Sequence, residues 1–324
     1  MNLEDSFKYR SSWMGFAILW VMFFHSGLEI NAEPLKTFKL MGYGGVDMFL
    51  FASGLGCHYS LSRNPDAISF FKRRARRILP TWWTFMLILW TIPWRQIFDP
   101  PWEAFIGDAL LLEGFADWHY TFNWYLSAML MTYLLAPYCS SLAARSSTLR
   151  SFLLIELLIF AITIPFWKHE HLMFMSRLPI FYVGIAIAAL AQRGAIIDRR
   201  AAIGLFIATV VGVIALVSCS KIFPPSFIND FGLWWYPFIL IAPGLCLGLS
   251  WILSRAPSLI DRALSTVGAL SFEIYLVHIL LTWIIQDRAL ALDDVGWLGF
   301  FAASMVGSIG LKFLVTTLER RLSI

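Results

Sequence analysis

The chain has 324 residues, 59% of them hydrophobic and 14% charged, and its mean hydropathy is +0.69. Soluble domains carry about 25% charged residues, so this composition excludes an ordinary soluble globular protein and indicates an integral membrane protein built from several helices. The formal net charge of +4 identifies no partner, because the side on which each cation sits matters more than the sum.

The N-terminus, Met1 to Arg10, is polar and lacks a small-residue cleavage site, so the first apolar stretch is expected to be retained rather than removed as a signal peptide. Apolar windows near residues 13–30, 42–60, 79–96, 122–142, 151–167, 176–192, 201–219, 233–253, 267–286 and 297–317 predict about ten transmembrane helices. Several contain Gly or Pro, which membrane helices tolerate better than soluble ones. Residues 97–121 fit less well. Their core, Ala104 to Leu112, is too short to cross and too apolar for an ordinary loop, which predicts a re-entrant or interfacial piece.

An even number of spans puts both termini on one side. Placing them in the cytoplasm puts about seventeen of the 25 Lys and Arg there, against about six on the opposite side, the bias expected of short cytoplasmic loops. The expected fold is therefore all-α and polytopic, a single domain over residues 1–324 with both termini cytoplasmic. No soluble domain, linker or inverted repeat is evident. The 15 Trp and 28 Phe suit interfacial belts and helix-packing surfaces. Cys57, Cys139, Cys219 and Cys246 form no CxxC and lie near no His-rich tract, so buried thiols are expected, with no metal site and no disulfide framework.

His25 is the residue that most invites a functional reading. It is a lone imidazole in an apolar stretch from Trp13 to about Ile30. At about 1.5 Å per residue it lies roughly 18 Å into a hydrocarbon core about 30 Å thick. A polar ring at that depth is costly unless it faces a polar cavity. Two readings stand at this point, a catalytic base and a packing histidine satisfied by a helix carbonyl.

Four local patterns, in this order, bear on the choice between them. The first span runs from Trp13-Met14-Gly15-Phe16 to Phe23-Phe24-His25-Ser26. The second opens Gly44-Gly45-Val46-Asp47-Met48-Phe49. A basic run follows, Lys72-Arg73-Arg74-Ala75-Arg76-Arg77-Ile78-Leu79-Pro80, and near the end comes Ser271-Phe272-Glu273-Ile274-Tyr275-Leu276-Val277-His278. Over almost its whole length the chain resembles the acyltransferase 3 family of membrane O-acyltransferases. Asn123-Trp124-Tyr125-Leu126-Ser127-Ala128 and Arg177-Leu178-Pro179-Ile180-Phe181 also resemble family segments. The resemblance implies transfer of an acyl group, commonly acetyl from acetyl-CoA, to a hydroxyl of a cell-surface glycan or another small acceptor. It implies a multi-pass protein of the cell membrane, bacterial in origin. Acyl-CoA is then a co-substrate rather than a resident cofactor, and the expected partners are acyl-CoA, a glycan or lipid-linked sugar, and membrane lipid, with no nucleic acid.

His25 aligns with the family's essential histidine. Acyl transfer to a hydroxyl needs a base for the hydroxyl proton, and imidazole titrates near neutrality. The family's arginine eleven positions earlier is Met14 here, and Arg10 lies one turn before it. Arg74 and Arg77 match the family's R-x-x-R, with Arg73 and Arg76 beside them. Guanidinium groups suit the phosphates of CoA, and the alternative is that these cations set topology and touch anionic lipid. Asp47 either accepts a hydrogen bond from His25, as a triad carboxylate does, or caps its helix. Arg177 binds an acceptor or polarises the thioester carbonyl, or else snorkels to headgroups. His278 is the family's final histidine and suits a polar network; Glu273, five residues earlier, points to a different face. Trp124 and Tyr125 line a sugar site or anchor a helix end at the interface.

Many glycan-modifying relatives carry an acidic pair where this chain has Met129 and Leu130. His58, His119, His169 and His171 read as interfacial. No Ser or Cys beside His25 reads as a nucleophile, so direct transfer is the simplest route. The rival from another class is a transporter, with Asp47, Arg177, Glu273 and His278 lining a pathway.

Overall fold

The computed structural model describes residues 2–91, 102–112, 124–146 and 148–322. Among the described residues the chain is nearly all helical; the sole extended pairing is a bridge between Asn2 and Ile196. The long helices are α1 (Arg10–His25), α2 (Gly45–Arg63), α3 (Ala67–Thr91), α4 (Trp124–Arg145), α5 (Leu149–Thr163), α6 (Leu178–Gln192), α7 (Arg199–Ile222), α8 (Phe238–Leu253), α9 (Ser258–Ala269), α10 (Ser271–Asp287) and α11 (Asp294–Leu322). A helix overlies each predicted apolar window. The exception to the expected order is α9, an amphipathic helix set 67° from α10 across a break at Leu270.

Six of the described helical stretches are long and apolar enough to cross a bilayer, and a seventh span results if α9 and α10 are taken together. The remaining windows fall short for physical reasons. Helices α1 and α8 have only 16 residues each, and α3 carries the basic run of Lys72 to Arg77 in its first half.

Helix starts are written locally. Thr148 accepts from the Ser151 amide at 3.2 Å before α5, and Asp198 accepts from the Ala201 amide at 2.7 Å before α7. Each satisfies one of the orphan donors of a first turn. The central packing is backbone-close. A Cβ on Gly54 of α2 would strike the Phe181 carbonyl, and one on Gly184 of α6 the Phe51 carbonyl. The same reciprocity joins α1 and α9, where Gly15 faces the Leu264 carbonyl and Gly268 the Ser11 carbonyl. Small residues at crossings are how membrane helices gain van der Waals contact without a hydrophobic drive between them. Helices α5 and α7 lie at the rim, each with 11% of its apolar window buried.

Polar anchors hold this core in register. Trp13 donates to Ser250 Oγ at 2.8 Å, which donates in turn to the Ser6 carbonyl at 3.0 Å. The Arg193 guanidinium after α6 binds the Ala143, Ala144 and Ser146 carbonyls at the end of α4, satisfying acceptors that a helix end leaves open. His58 is not interfacial as expected. It is buried on α2 and contacts Ser140 Oγ at 2.9 Å and Gln192 Oε1 at 3.2 Å, tying α2 to α4 and α6. His169 and His171 sit on the loop after α5 with their Nδ1 atoms 2.7 Å apart. Cys57, Cys139 and Cys246 are buried, while Cys219 is only half-buried.

Of the segment 97–121, residues 102–112 are described. They form a helix, Trp102–Ala109, whose last turn is gripped by α3: Trp82 donates to the Asp108 carbonyl at 2.9 Å and Trp90 to Asp108 Oδ2 at 3.0 Å. Arg95, His119 and Asn123 lie outside the described residues.

Candidate active site

Helix α1 ends at His25, and the ring is placed by that ending. Ser26 has an extended backbone and turns the chain away, its hydroxyl donating to the Phe23 carbonyl at 2.7 Å. His25 lines a cavity of about 580 Å³ on the side where α1 ends. Tyr43, Trp124, Arg177, Trp234, Trp235 and Tyr275 share that wall.

The His25 Nδ1 stands 3.2 Å from His278 Nε2 of α10, and His278 Nδ1 stands 2.8 Å from the Ile274 carbonyl. A carbonyl only accepts, so His278 Nδ1 carries a proton and, in a neutral ring, its Nε2 carries the lone pair. His25 Nδ1 must then be the donor across the pair. That leaves His25 Nε2 as a bare acceptor, with no hydrogen bond among the described residues. The second imidazole does for His25 what a carboxylate does in a hydrolase triad: it selects the tautomer and fixes the ring.

Asp47 does not fill that position. It is fully interior on α2, and both of its oxygens accept from Arg177 Nη1, at 2.8 and 2.9 Å. The reason is proximity to a stronger partner. Arg177 precedes α6, which packs closely on α2 through Gly54 and Gly184, and a guanidinium outcompetes an imidazole for a buried carboxylate. Arg177 is 1% exposed, so it does not snorkel. Its guanidinium lies over both the Trp124 and the Trp235 rings, 5.6 and 5.5 Å from their centroids, within cation–π range.

A second cavity, about 180 Å³, lies on the side where α1 begins. Arg10, Arg74, Arg77 and Lys312 line it, with Met14, Phe49, Tyr125, Met129, Tyr133 and Tyr275. Arg74 packs over the Phe70 and Tyr133 rings and donates to the Gly56 carbonyl at 3.1 Å. A Cβ on Gly56 would meet the Arg10 guanidinium, so the absence of a side chain there lets Arg10 and Arg74 converge. Glu273 is the one acid on this wall, and it is paired with Lys312 at 3.0 Å. Among the described residues no carboxylate pairs with Arg10, Arg74 or Arg77, and Arg74 Nε is buried without a partner. Guanidinium groups crowded together and left uncompensated make a site for an anion.

Arg73 turns elsewhere. It donates to Ser60 Oγ at 3.2 Å and lines a separate vestibule of about 710 Å³ with Lys8, Arg10, Tyr59 and Arg63. Arg10, Ser11 and Gly56 are common to the vestibule and the inner cavity. Arg76 is exposed and lines neither. Trp124 and Tyr125, adjacent in sequence, are divided between the two sides: Trp124 faces the His25 cavity and Tyr125 the arginine cavity. His278 and Glu273 are divided in the same way, His278 toward His25 and Glu273 toward Lys312. Among the described residues no three His, Cys, Asp or Glu side chains gather as a metal site.

Sequence reading alone did not single out Lys312, Trp234, Trp235, Tyr43 or Tyr275. Lys312 carried a usable signal, being a lone cation inside an apolar window. No curated protein and no solved structure matches this chain. The family model described as an acyltransferase domain matches residues 15–317. With that match over nearly its whole length, the helical membrane bundle carrying His25 and the arginine cavity belongs to the acyltransferase 3 family and is a membrane acyltransferase.

Proposed function

We propose that the protein moves an acyl group, acetyl from acetyl-CoA, to a hydroxyl of a cell-surface glycan or lipid-linked sugar, with His25 as general base. The face where α1 begins is cytoplasmic in this reading, the membrane is the cell membrane, and the donor arrives from that side. Its phosphates meet Arg10, Arg74 and Arg77, with Arg73, Arg63 and Lys8 of the vestibule around the nucleotide end. The acceptor comes from the other side, where Trp124 and Trp235 offer aromatic faces and Arg177 a fixed cation beside them.

The chemistry is direct. The acceptor hydroxyl gives its proton to His25 Nε2 as its oxygen attacks the thioester carbonyl. The C–O ester bond forms, the C–S bond breaks, and the proton passes from the imidazolium to the leaving thiolate, giving ester and free CoA. His278 keeps Nε2 of His25 as the basic nitrogen and supports the imidazolium by hydrogen bonding. General-base help of this kind is worth about 10²–10⁴-fold.

The single observation that carries the reading is the Ile274–His278–His25 chain, which leaves Nε2 bare on a His25 that lines a cavity. The experiment uses purified protein in lipid, acetyl-CoA, and cell-surface glycan as acceptor, with free thiol and ester both measured. His25→Ala, folded as judged by monodisperse elution, should lose acceptor-dependent thiol release by at least about 10²-fold. Undiminished ester formation by that variant would overturn the proposal.

A further inference from the structure

The two cavities approach each other from opposite sides, and Tyr275 is the residue their walls have in common. It stands on α10 one turn before His278, 5% exposed, with its ring 5.8 Å from the His278 ring in an edge-on arrangement. On the arginine side its ring lies 5.0 Å from that of Tyr125, which in turn lies 6.3 Å from Phe49.

The arginine cavity is graded along α4. Arg74 packs on Tyr133, 5.4 Å from its ring, and Tyr275 packs on Tyr125, eight residues earlier, or about 12 Å at the helical rise. A ligand held by its phosphates at the Tyr133 end therefore extends toward a pocket of Met14, Phe49, Tyr125, Met129 and Tyr275. The Tyr275 ring is part of that pocket's wall, and it lines as well the opposite cavity that His25 lines.

Resting on the acyl-transfer reading above, we propose that Tyr275 is the partition between the donor and acceptor chambers and sets the size of acyl group that reaches His25. Only the thioester carbonyl and a short alkyl remainder fit past the ring. An acyl chain longer than a few carbons meets the Tyr125–Tyr275 pair while its carbonyl is still on the donor side. Tyr275 touches the passing acyl group and takes no proton in the reaction.

The test is the acyl-length profile, kcat/KM for acetyl-, butyryl- and hexanoyl-CoA with a fixed acceptor, in protein reconstituted in lipid. Wild type should decline steeply from acetyl to hexanoyl. Tyr275→Ala should raise the hexanoyl-to-acetyl ratio by on the order of tenfold or more, since single methylenes in a fitted pocket discriminate by 10–200-fold. Tyr275→Phe keeps the ring and should keep the wild-type profile. Tyr275→Trp should depress even acetyl transfer, and Tyr275→Leu gives the same direction as Ala should the Ala protein fail to fold. A folded Ala or Leu variant with an unchanged ratio overturns the partition. A lower rate with every donor in proportion overturns it too, because that marks a merely structural ring. Wild type that releases no thiol from any of the three donors, with acceptor present, instead overturns the acyl-transfer reading on which the partition rests.

Discussion

The buried pair of Asp47 and Arg177 makes the sharpest energetic prediction. Both groups are 1% exposed, and both carboxylate oxygens lie within 2.9 Å of one guanidinium nitrogen. Asp47→Asn removes the negative charge and leaves the guanidinium buried with only dipoles and two Trp faces around it. Breaking one side of a buried pair costs about 3–5 kcal/mol. The two rings, 5.6 and 5.5 Å away, return up to about 2 kcal/mol of cation–π attraction only if they already face the charge. They do so in the intact pair as well, so little new compensation appears, and the expected loss stays near 3 kcal/mol. Replacing both partners with apolar side chains, Asp47→Leu with Arg177→Met, removes the stranded charge along with the pair and should be far milder than either single change. Denaturant unfolding in mixed micelles of wild type, Asp47→Leu, Arg177→Met and the double variant gives the cycle directly, with Asp47→Asn as the charge-only control. Single substitutions costing under about 1 kcal/mol, or a double variant as damaged as the sum of the singles, would refute the stranded-charge reasoning.

Two further outcomes follow from the same geometry. His278→Phe keeps an aromatic ring in place but removes the acceptor for His25 Nδ1; kcat should fall on the order of 10- to 100-fold while KM for acyl-CoA changes little, and a kcat within twofold of wild type would show that the tautomer needs no partner. Arg10→Ala should raise KM for acyl-CoA by about tenfold or more, the worth of a hydrogen bond to a charged group, and adding Met14→Arg on the next turn of the same cavity wall should recover most of it. Met14→Arg alone, with Arg10 already in the cavity, should change donor KM by less than about threefold in steady-state assays.

Much of the fold was legible because hydropathy and periodicity are local properties. The windows around α4, α6 and α7 could be drawn from composition alone. Most of helix α9 was left between two apolar windows, since Asp261, Arg262 and Thr266 dilute its apolar face, and its last turn was joined to α10 because the break falls at Leu270, a residue with no breaking tendency of its own. His58 was misplaced for the opposite reason. Its position near a span end suggested an interface, while the groups that satisfy it, Ser140 and Gln192, come from helices 82 and 134 residues away in sequence. Pairings of that kind cannot be read along one chain. Asp47 is the most instructive instance, because its neighbour in sequence order was His25 and its neighbour in space is Arg177, brought to it by the Gly54–Gly184 crossing.

The same limit explains why the candidate residues could be named but not sorted. From the sequence, His25, Arg74, Tyr125, Trp124 and His278 form one roster of polar and aromatic side chains in apolar surroundings. Helical geometry divides them. Adjacent residues on a helix point about 100° apart, so Trp124 and Tyr125 serve opposite chambers although they are neighbours in the chain. Glu273 and His278 are separated in the same way, one answering Lys312 at the arginine cavity and the other fixing His25 at the opposite one. Helix α10 thus contributes Glu273 to the arginine cavity, Tyr275 to the walls of both cavities, and His278 as the buried partner of the His25 ring. Under the proposed reaction a charged nucleotide stays away from lipid while a two-carbon fragment meets an alcohol, which calls for one rigid element shared by both cavities. Helix α10 reaches both cavities, so on the proposed acyl transfer its substitutions should separate donor selection at Tyr275 from base strength at His278.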